Sequence, residues 1–176
     1  MIMNELETYS KAVQLWGRES QVDMLVEECN ELTEVLIRAV VYGQAPDDIS
    51  GLVSEVVDVQ IVLNQTRVVF KIALEEVLLS GSPDARELLE VNSLVPEAEW
   101  GDLTVPTRMI HTLMKNRRGK ASDEDVVRMV IETQVYVNDL RTLLNSEEVW
   151  QAIKEEKLGY LRGLVENSER GREAGA

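Results

Sequence analysis

Prolines occur at only four positions of this 176-residue chain, 46, 83, 96 and 106, and the long stretches between them carry apolar residues at helical spacing. So few breakers, with no sustained apolar–polar alternation, point to an all-α fold. A first helix spans about Asn4 to Trp16 and ends at Gly17. Ser20 has the chemistry of an N-cap for a second helix, which carries Leu25, Cys29, Leu32 and Leu36 at offsets of 4, 3 and 4 and stops at Gly43. The next segment, from about Asp48 to beyond Phe70, is rich in β-branched Val53, Val56, Val57, Val59, Ile61 and Val62, residues that suit strands. Their spacing does not alternate, and the run far exceeds the usual strand of about 5 to 6 residues. It therefore reads as a helix buried on most sides.

Helical stretches are further expected over Lys71–Leu79, Asp84–Val91, Thr107–Arg117 and Ser122–Leu144, with an irregular connection through Pro96, Trp100, Gly101 and Pro106. A last helix starts near Ser146, favoured by Glu147 and Glu148 in its first turn, and runs to about Glu166. Residues 167–176 are polar and contain glycine, so they read as a fraying, flexible tail.

Composition narrows the chemistry. With 44% hydrophobic residues the chain can bury a core, which excludes disorder throughout. No stretch approaches the roughly 18 uninterrupted apolar residues of a membrane span, and no signal-peptide pattern opens the chain, so no membrane association and a cytoplasmic location are expected. One cysteine, Cys29, and one histidine, His111, exclude an internal disulfide and a Cys/His zinc site, leaving oxygen ligands for any metal. The net charge of −14, from 32 acidic against 18 basic residues, argues against binding nucleic acid through its phosphates. It leaves open an acidic decoy of nucleic acid or a helical scaffold for a partner protein.

The carboxylates are the informative residues. Glu27, Glu28 and Glu31 form an E-E-x-x-E run, and offsets of 3 and 4 bring them towards one side of the second helix. Alone, such a run is usually a solvated face. Glu55 and Asp58, at i and i+3 of the apolar third helix, are different, since a charge there is costly unless it is paired or holds a cation. Carboxylates converging from two helices repel one another, and Mg²⁺, with Mn²⁺ as substitute, is the ion suited to an all-oxygen set that lacks His and Cys. His111 has Arg108 three residues before it, so the Glu-x-x-His pattern of di-iron bundles is missing and His111 reads as structural.

Glu27-Glu28-x-x-Glu31, a gap of 23 residues and then Glu55-x-x-Asp58 resemble the signature of the MazG-like all-α nucleoside triphosphate pyrophosphohydrolases, a superfamily that also holds the dimeric dUTPases. Trp16-Gly17-x-x-x-Gln21-x-x-Met24 and Asp58-Val59-Gln60-Ile61-Val62-Leu63-x-Gln65 extend the resemblance to residues 14–70. Lys157-Leu158-Gly159-Tyr160-Leu161 stands where that branch carries Lys-Leu-x-Arg-Leu, with Tyr160 in place of the arginine and Arg162 just beyond.

The resemblance implies an all-α pyrophosphatase-type helical bundle that hydrolyses a (deoxy)nucleoside triphosphate to the monophosphate and pyrophosphate, in nucleotide-pool sanitation or phage-type pool remodelling. It implies Mg²⁺ ligands at Glu28, Glu31, Glu55 and Asp58. Glu27, turned by about 100° on the helix, orients or deprotonates water, although the division between ligand and base is open. Candidate substrate contacts are Lys157, Arg162 and Arg38 for phosphates, with Trp16, Gln21 and Asn64 for the base. Phosphoribosyl-ATP pyrophosphohydrolase is a rival within the superfamily, and a non-enzymatic acidic helical interaction protein is a rival outside it.

Residues 71–145 depart from the family pattern, and part of them reads as a worn second copy. Met114–Gly119 resembles the end of the second helix, and Glu132–Asn138 resembles Asp58–Asn64. In that alignment Arg108 stands 77 residues after Glu31, and Met129 stands 74 after Glu55. The organisation expected is a catalytic helical repeat at 1–80, a connection at 81–106, a degenerate repeat with the last helix at 107–166, and the tail. The alternative is a plain helical insertion. A repeat packed like the second subunit of a family dimer leaves one metal cluster per chain, and further two-fold association favours a homodimer.

Overall fold

The computed structural model describes residues 3–40, 42, 49–72 and 103–174. Among them the regular structure is entirely helical: α1 (Glu5–Val40), α2 (Ile49–Val69), α3 (Thr104–Arg117), α4 (Asp123–Leu144) and α5 (Glu147–Ala174). No helix among these residues is long and apolar enough to cross a membrane.

The boundary expected at Gly17 is a bend inside α1. Gly17 has φ 82° and ψ 172°, angles open essentially to glycine alone, and helical limbs lie on both sides of it. Ser20 accordingly sits within the helix. A Cβ at Gly17 meets no atom within 4 Å, so strain at this position is purely conformational. Gly17→Ala is expected to destabilise the chain by about 1–3 kcal/mol, read as a lower urea midpoint with an unchanged slope.

α2 is helical despite its β-branched run because tertiary burial outweighs propensity. Leu52, Val53, Val56, Val57, Val59 and Leu63 are fully buried, each burial contributing roughly 1.5–3 kcal/mol against a propensity penalty of at most about 0.7 kcal/mol. The helix packs on α1, α4 and α5. It ends in a Schellman motif: Lys71 adopts a left-handed φ of 56°, its N–H reaches the Val68 carbonyl, and the Ile72 N–H reaches that of Arg67. The helical stretch expected from Lys71 therefore does not continue α2. The rest of that stretch, the Asp84–Val91 helix and most of the 81–106 connection lie outside the described residues.

α3 begins at Thr104, earlier than expected, with Pro106 in its first turn, where a missing N–H removes no helical bond. α4 starts as its sequence predicts. Ser122 accepts from the Asp125 N–H while the Asp125 carboxylate accepts from that of Ser122, a closed capping box. α4 ends at Asn145 in the left-handed conformation.

The flexible tail expected after Glu166 is instead helix up to Ala174. The first limb of α1 holds it. Lys154 pairs with Glu5 at 2.8 Å and Lys11 with Glu169 at 3.2 Å, Arg172 donates to the Leu15 carbonyl at 2.9 Å, and Val165 is buried.

α2 runs antiparallel to the second limb of α1. Arg18 lies 4.4 Å over the Phe70 ring at one end of this pair, and Glu31 meets Glu55 towards the other. Leu25, Cys29, Leu32 and Leu36 are fully buried, as their spacing predicts. α3 packs on α1 and α4, and α4 packs on α2 through Gln60 and Gln134, whose amides hydrogen-bond reciprocally at 2.8 and 2.6 Å.

Candidate metal centre

The seam between α1 and α2 places three of the expected carboxylates together. One oxygen each from Glu28, Glu31 and Glu55 lies within 4.8 Å of the others. Glu28 and Glu31 come from adjacent turns of α1. Glu55 comes from α2, where the buried valines on its flanks fix its direction. Glu28 and Glu55 are half-buried and Glu31 is exposed, so the group opens to solvent on one side. The Glu55 Oε2 atom is buried and lacks a hydrogen-bond partner.

Asp58, one turn beyond Glu55, completes the acidic group and is ion-paired with Lys157 of α5. Electrostatics records the crowding. Glu28 is pushed up to about 7, first by burial and then by the charges of Asp58, Glu31 and Glu55, with Lys157 opposing. Glu55 is raised by burial and then by Asp58 and Glu31. Burial also raises Asp58, outweighing the lysine that pulls it down. Glu28 thus keeps its proton at pH values where an isolated carboxylate would have released it.

The donors fit an oxygen-preferring divalent cation. Ligands in an octahedral Mg²⁺ shell lie about 2.9 Å apart when adjacent and about 4.2 Å when opposite, so three oxygens within 4.8 Å of one another must draw closer to share one ion. A bound cation would relieve both the unpartnered Glu55 oxygen and the raised Glu28.

The other expected site residues spread more widely. Glu27 is exposed on α1, about 100° around the helix from Glu28. Arg38 is exposed and pairs with Glu34 on its own helix. Arg162 is half-buried, 3.7 Å from Glu155, with its Nε atom buried and unpartnered. Trp16 is half-buried against the core. Asn64 accepts from Gln60 and Arg67 at 3.3 Å each and lines a cleft of about 530 Å³ with Glu5, Tyr9, Arg67 and Lys71. Gln21 is wholly buried, and neither of its amide atoms has a partner. Lys157 faces the acidic group and is held by Asp58.

Two groups were not among the expected site residues. Tyr9 is buried beside Glu5 and Asn64, and burial pushes its hydroxyl up to about 12. Gln65 is 1% exposed with both amide atoms unpartnered, like Gln21. A signal for Gln65 existed: it lies seven residues after Asp58, as Gln21 lies seven before Glu28, so each stands two turns from the acidic group.

Comparison of the chain with protein-family models, curated proteins and solved structures finds no match.

Proposed function

We propose that the chain is a divalent-metal-dependent hydrolase that converts a (deoxy)nucleoside triphosphate to its monophosphate and pyrophosphate. The observation that carries this reading is the meeting of Glu28, Glu31 and Glu55 within 4.8 Å at a half-open seam. The family-like spacing of the same residues supports the substrate class.

Bound Mg²⁺ or Mn²⁺ supplies charge neutralisation of the triphosphate and a water of lowered pKa. Glu28, Glu31, Glu55 and Asp58 are its ligands. Glu27, free of the cluster, accepts the proton of the attacking water. Lys157, tethered to Asp58, binds a phosphate oxygen, and Arg162 and Arg38 are the further cations for the polyphosphate. Trp16, Asn64 and Gln21 are the side chains for the base. The water oxygen bonds to the α-phosphorus, the bond from that phosphorus to the α–β bridging oxygen breaks, and pyrophosphate leaves with the bridging oxygen. Two chains associate as a homodimer in this proposal, and a solution mass equal to a single chain rejects that part.

The test is a pyrophosphate-release screen over the common ribo- and deoxyribonucleoside triphosphates with Mg²⁺ or Mn²⁺. Release with at least one nucleotide, abolished by chelator, is expected. Absence of release with every nucleotide and both ions overturns the proposal. With ¹⁸O-labelled water the label is expected in the monophosphate, and orthophosphate with a diphosphate as sole products rejects attack at the α-phosphorus.

A further inference from the structure

Gln60 of α2 and Gln134 of α4 are 74 residues apart, and each donates its amide N–H to the other's carbonyl oxygen. A residue that touches its own counterpart, both ways, is the mark of a two-fold axis running between them. The surroundings follow the same rule. Gln60 donates to Asn64 at 3.3 Å, and Gln134 donates to Asn138, again 74 residues on, at 3.0 Å.

Burial repeats at part of the register, although Val53, Val57 and Ile61 are buried where Val127, Ile131 and Val135 are half-buried. Leu52, Val56, Val62 and Leu63 of α2 are buried, and so are Val126, Val130, Tyr136 and Val137 of α4 at the same offset. On the other helices the offset is 77. Leu32 and Leu36 of α1 correspond to Met109 and Leu113 of α3, all buried. The change from 77 to 74 is taken up between the helices, because α3 ends at Arg117 and α4 begins at Asp123, whereas α1 ends at Val40 and α2 begins at Ile49. Helix pairing is symmetric too: α1 packs on α2 as α3 packs on α4, and α1 meets α3 while α2 meets α4.

At the positions equivalent to Glu28, Glu31, Glu55 and Asp58 the second pair carries Val105, Arg108, Met129 and Glu132. One acid survives, and the guanidinium of Arg108 grips it with bonds of 2.5 and 3.1 Å. We infer that α3 and α4 are a two-fold related copy of the second limb of α1 and of α2, in which Arg108 stands where a cation belongs. A bidentate arginine–carboxylate pair is self-sufficient, so this copy has no use for a metal. The two-fold relation rests on the contacts alone. The comparison of the two cation positions rests on the metal reading above.

Charge exchange at the axis tests the relation. Gln60→Glu with Gln134→Lys, and Gln60→Lys with Gln134→Glu, are expected to melt within about 3 °C of each other, and Gln60→Glu with Gln134→Glu at least about 5 °C lower. One exchange as unstable as the like-charged pair overturns the two-fold relation. The lost site is tested by Mn²⁺ titration of the full chain carrying Val105→Glu, Arg108→Glu and Met129→Glu. A folded variant that binds twice the Mn²⁺ of the wild type is expected, and a folded variant with unchanged stoichiometry overturns the substitution of cation by arginine. If this variant does not fold, Arg108→Glu with Met129→Glu, which leaves three carboxylates with Glu132, is titrated, and no gain in Mn²⁺ over the wild type by the folded double variant overturns it equally. A wild type that binds no Mn²⁺ instead defeats the proposed reaction, and the charge exchange then decides the two-fold copy by itself.

Discussion

Glu31→Ala and Glu55→Ala are each expected to lower kcat by about 10³-fold or more, equivalent to about 4 kcal/mol of lost transition-state stabilisation, while the chain stays folded. The reason is geometric. Each residue contributes one of the three oxygens that meet within 4.8 Å, and the set left behind cannot fix a cation opposite a phosphate. Stability should move the other way. Both substitutions remove negative charge from a crowded group, so the thermal midpoint of the metal-free protein is expected to rise by a few degrees. Asp58→Ala makes a useful contrast, because it also releases Lys157 from its ion pair and should raise KM as well as lower kcat. Turnover retained in both glutamate variants in the presence of chelator would end the metal reading.

The second large effect is a dependence of metal-free stability on pH, carried by Glu28. Its carboxyl is held at about 7 in the folded chain, above the ordinary value near 4.5 that it regains on unfolding. Below pH 4.5 both states are protonated and the residue contributes no difference. Between 4.5 and 7 the unfolded chain releases the proton while the folded chain keeps it, so stability falls as pH rises through this window and levels off above it. Allowing for the solvent exposure of the group, the loss is about 1–2 kcal/mol. Glu28→Gln is expected to flatten this slope and stabilise the metal-free protein at pH 7.5, measured by urea unfolding at a series of pH values. An identical slope in the variant assigns the effect elsewhere.

Much of this arrangement was legible in the sequence for a physical reason: helical spacing is local. The i, i+3 placement of Glu28 with Glu31 and of Glu55 with Asp58 fixed which carboxylates could share a side of their helices. Charges amid valines marked the second pair as requiring a partner. The start of α4 at Ser122 was legible too, and the structure adds the Asp125 carboxylate that closes its capping box. What the sequence hid depends on contacts between distant segments. Lys157 appeared only as a cation for phosphate, and its seat on Asp58 follows from the path of α5 across α2. The helicity of residues 167–174 depends on Lys11 and Leu15 at the other end of the chain, so their polar composition misled. The likeness of Glu132–Asn138 to Asp58–Asn64 was visible, but the reciprocal bonding of Gln60 with Gln134 needed the packing of α2 on α4. The Arg108–Glu132 pair was hidden for the same reason, since the alignment marked Arg108 as a lost ligand without naming what it would hold.

The most direct measurement is a calorimetric titration of the metal-free chain with Mn²⁺ at pH 6.5, in buffers of different ionisation enthalpy. Saturable binding with proton release is expected, because the cation displaces the proton held on Glu28, and a chain carrying Glu28→Gln, Glu31→Gln and Glu55→Gln should show neither. Equal Mn²⁺ binding by the wild type and this variant, or no saturable binding by the wild type, would contradict a metal centre in the seam between α1 and α2.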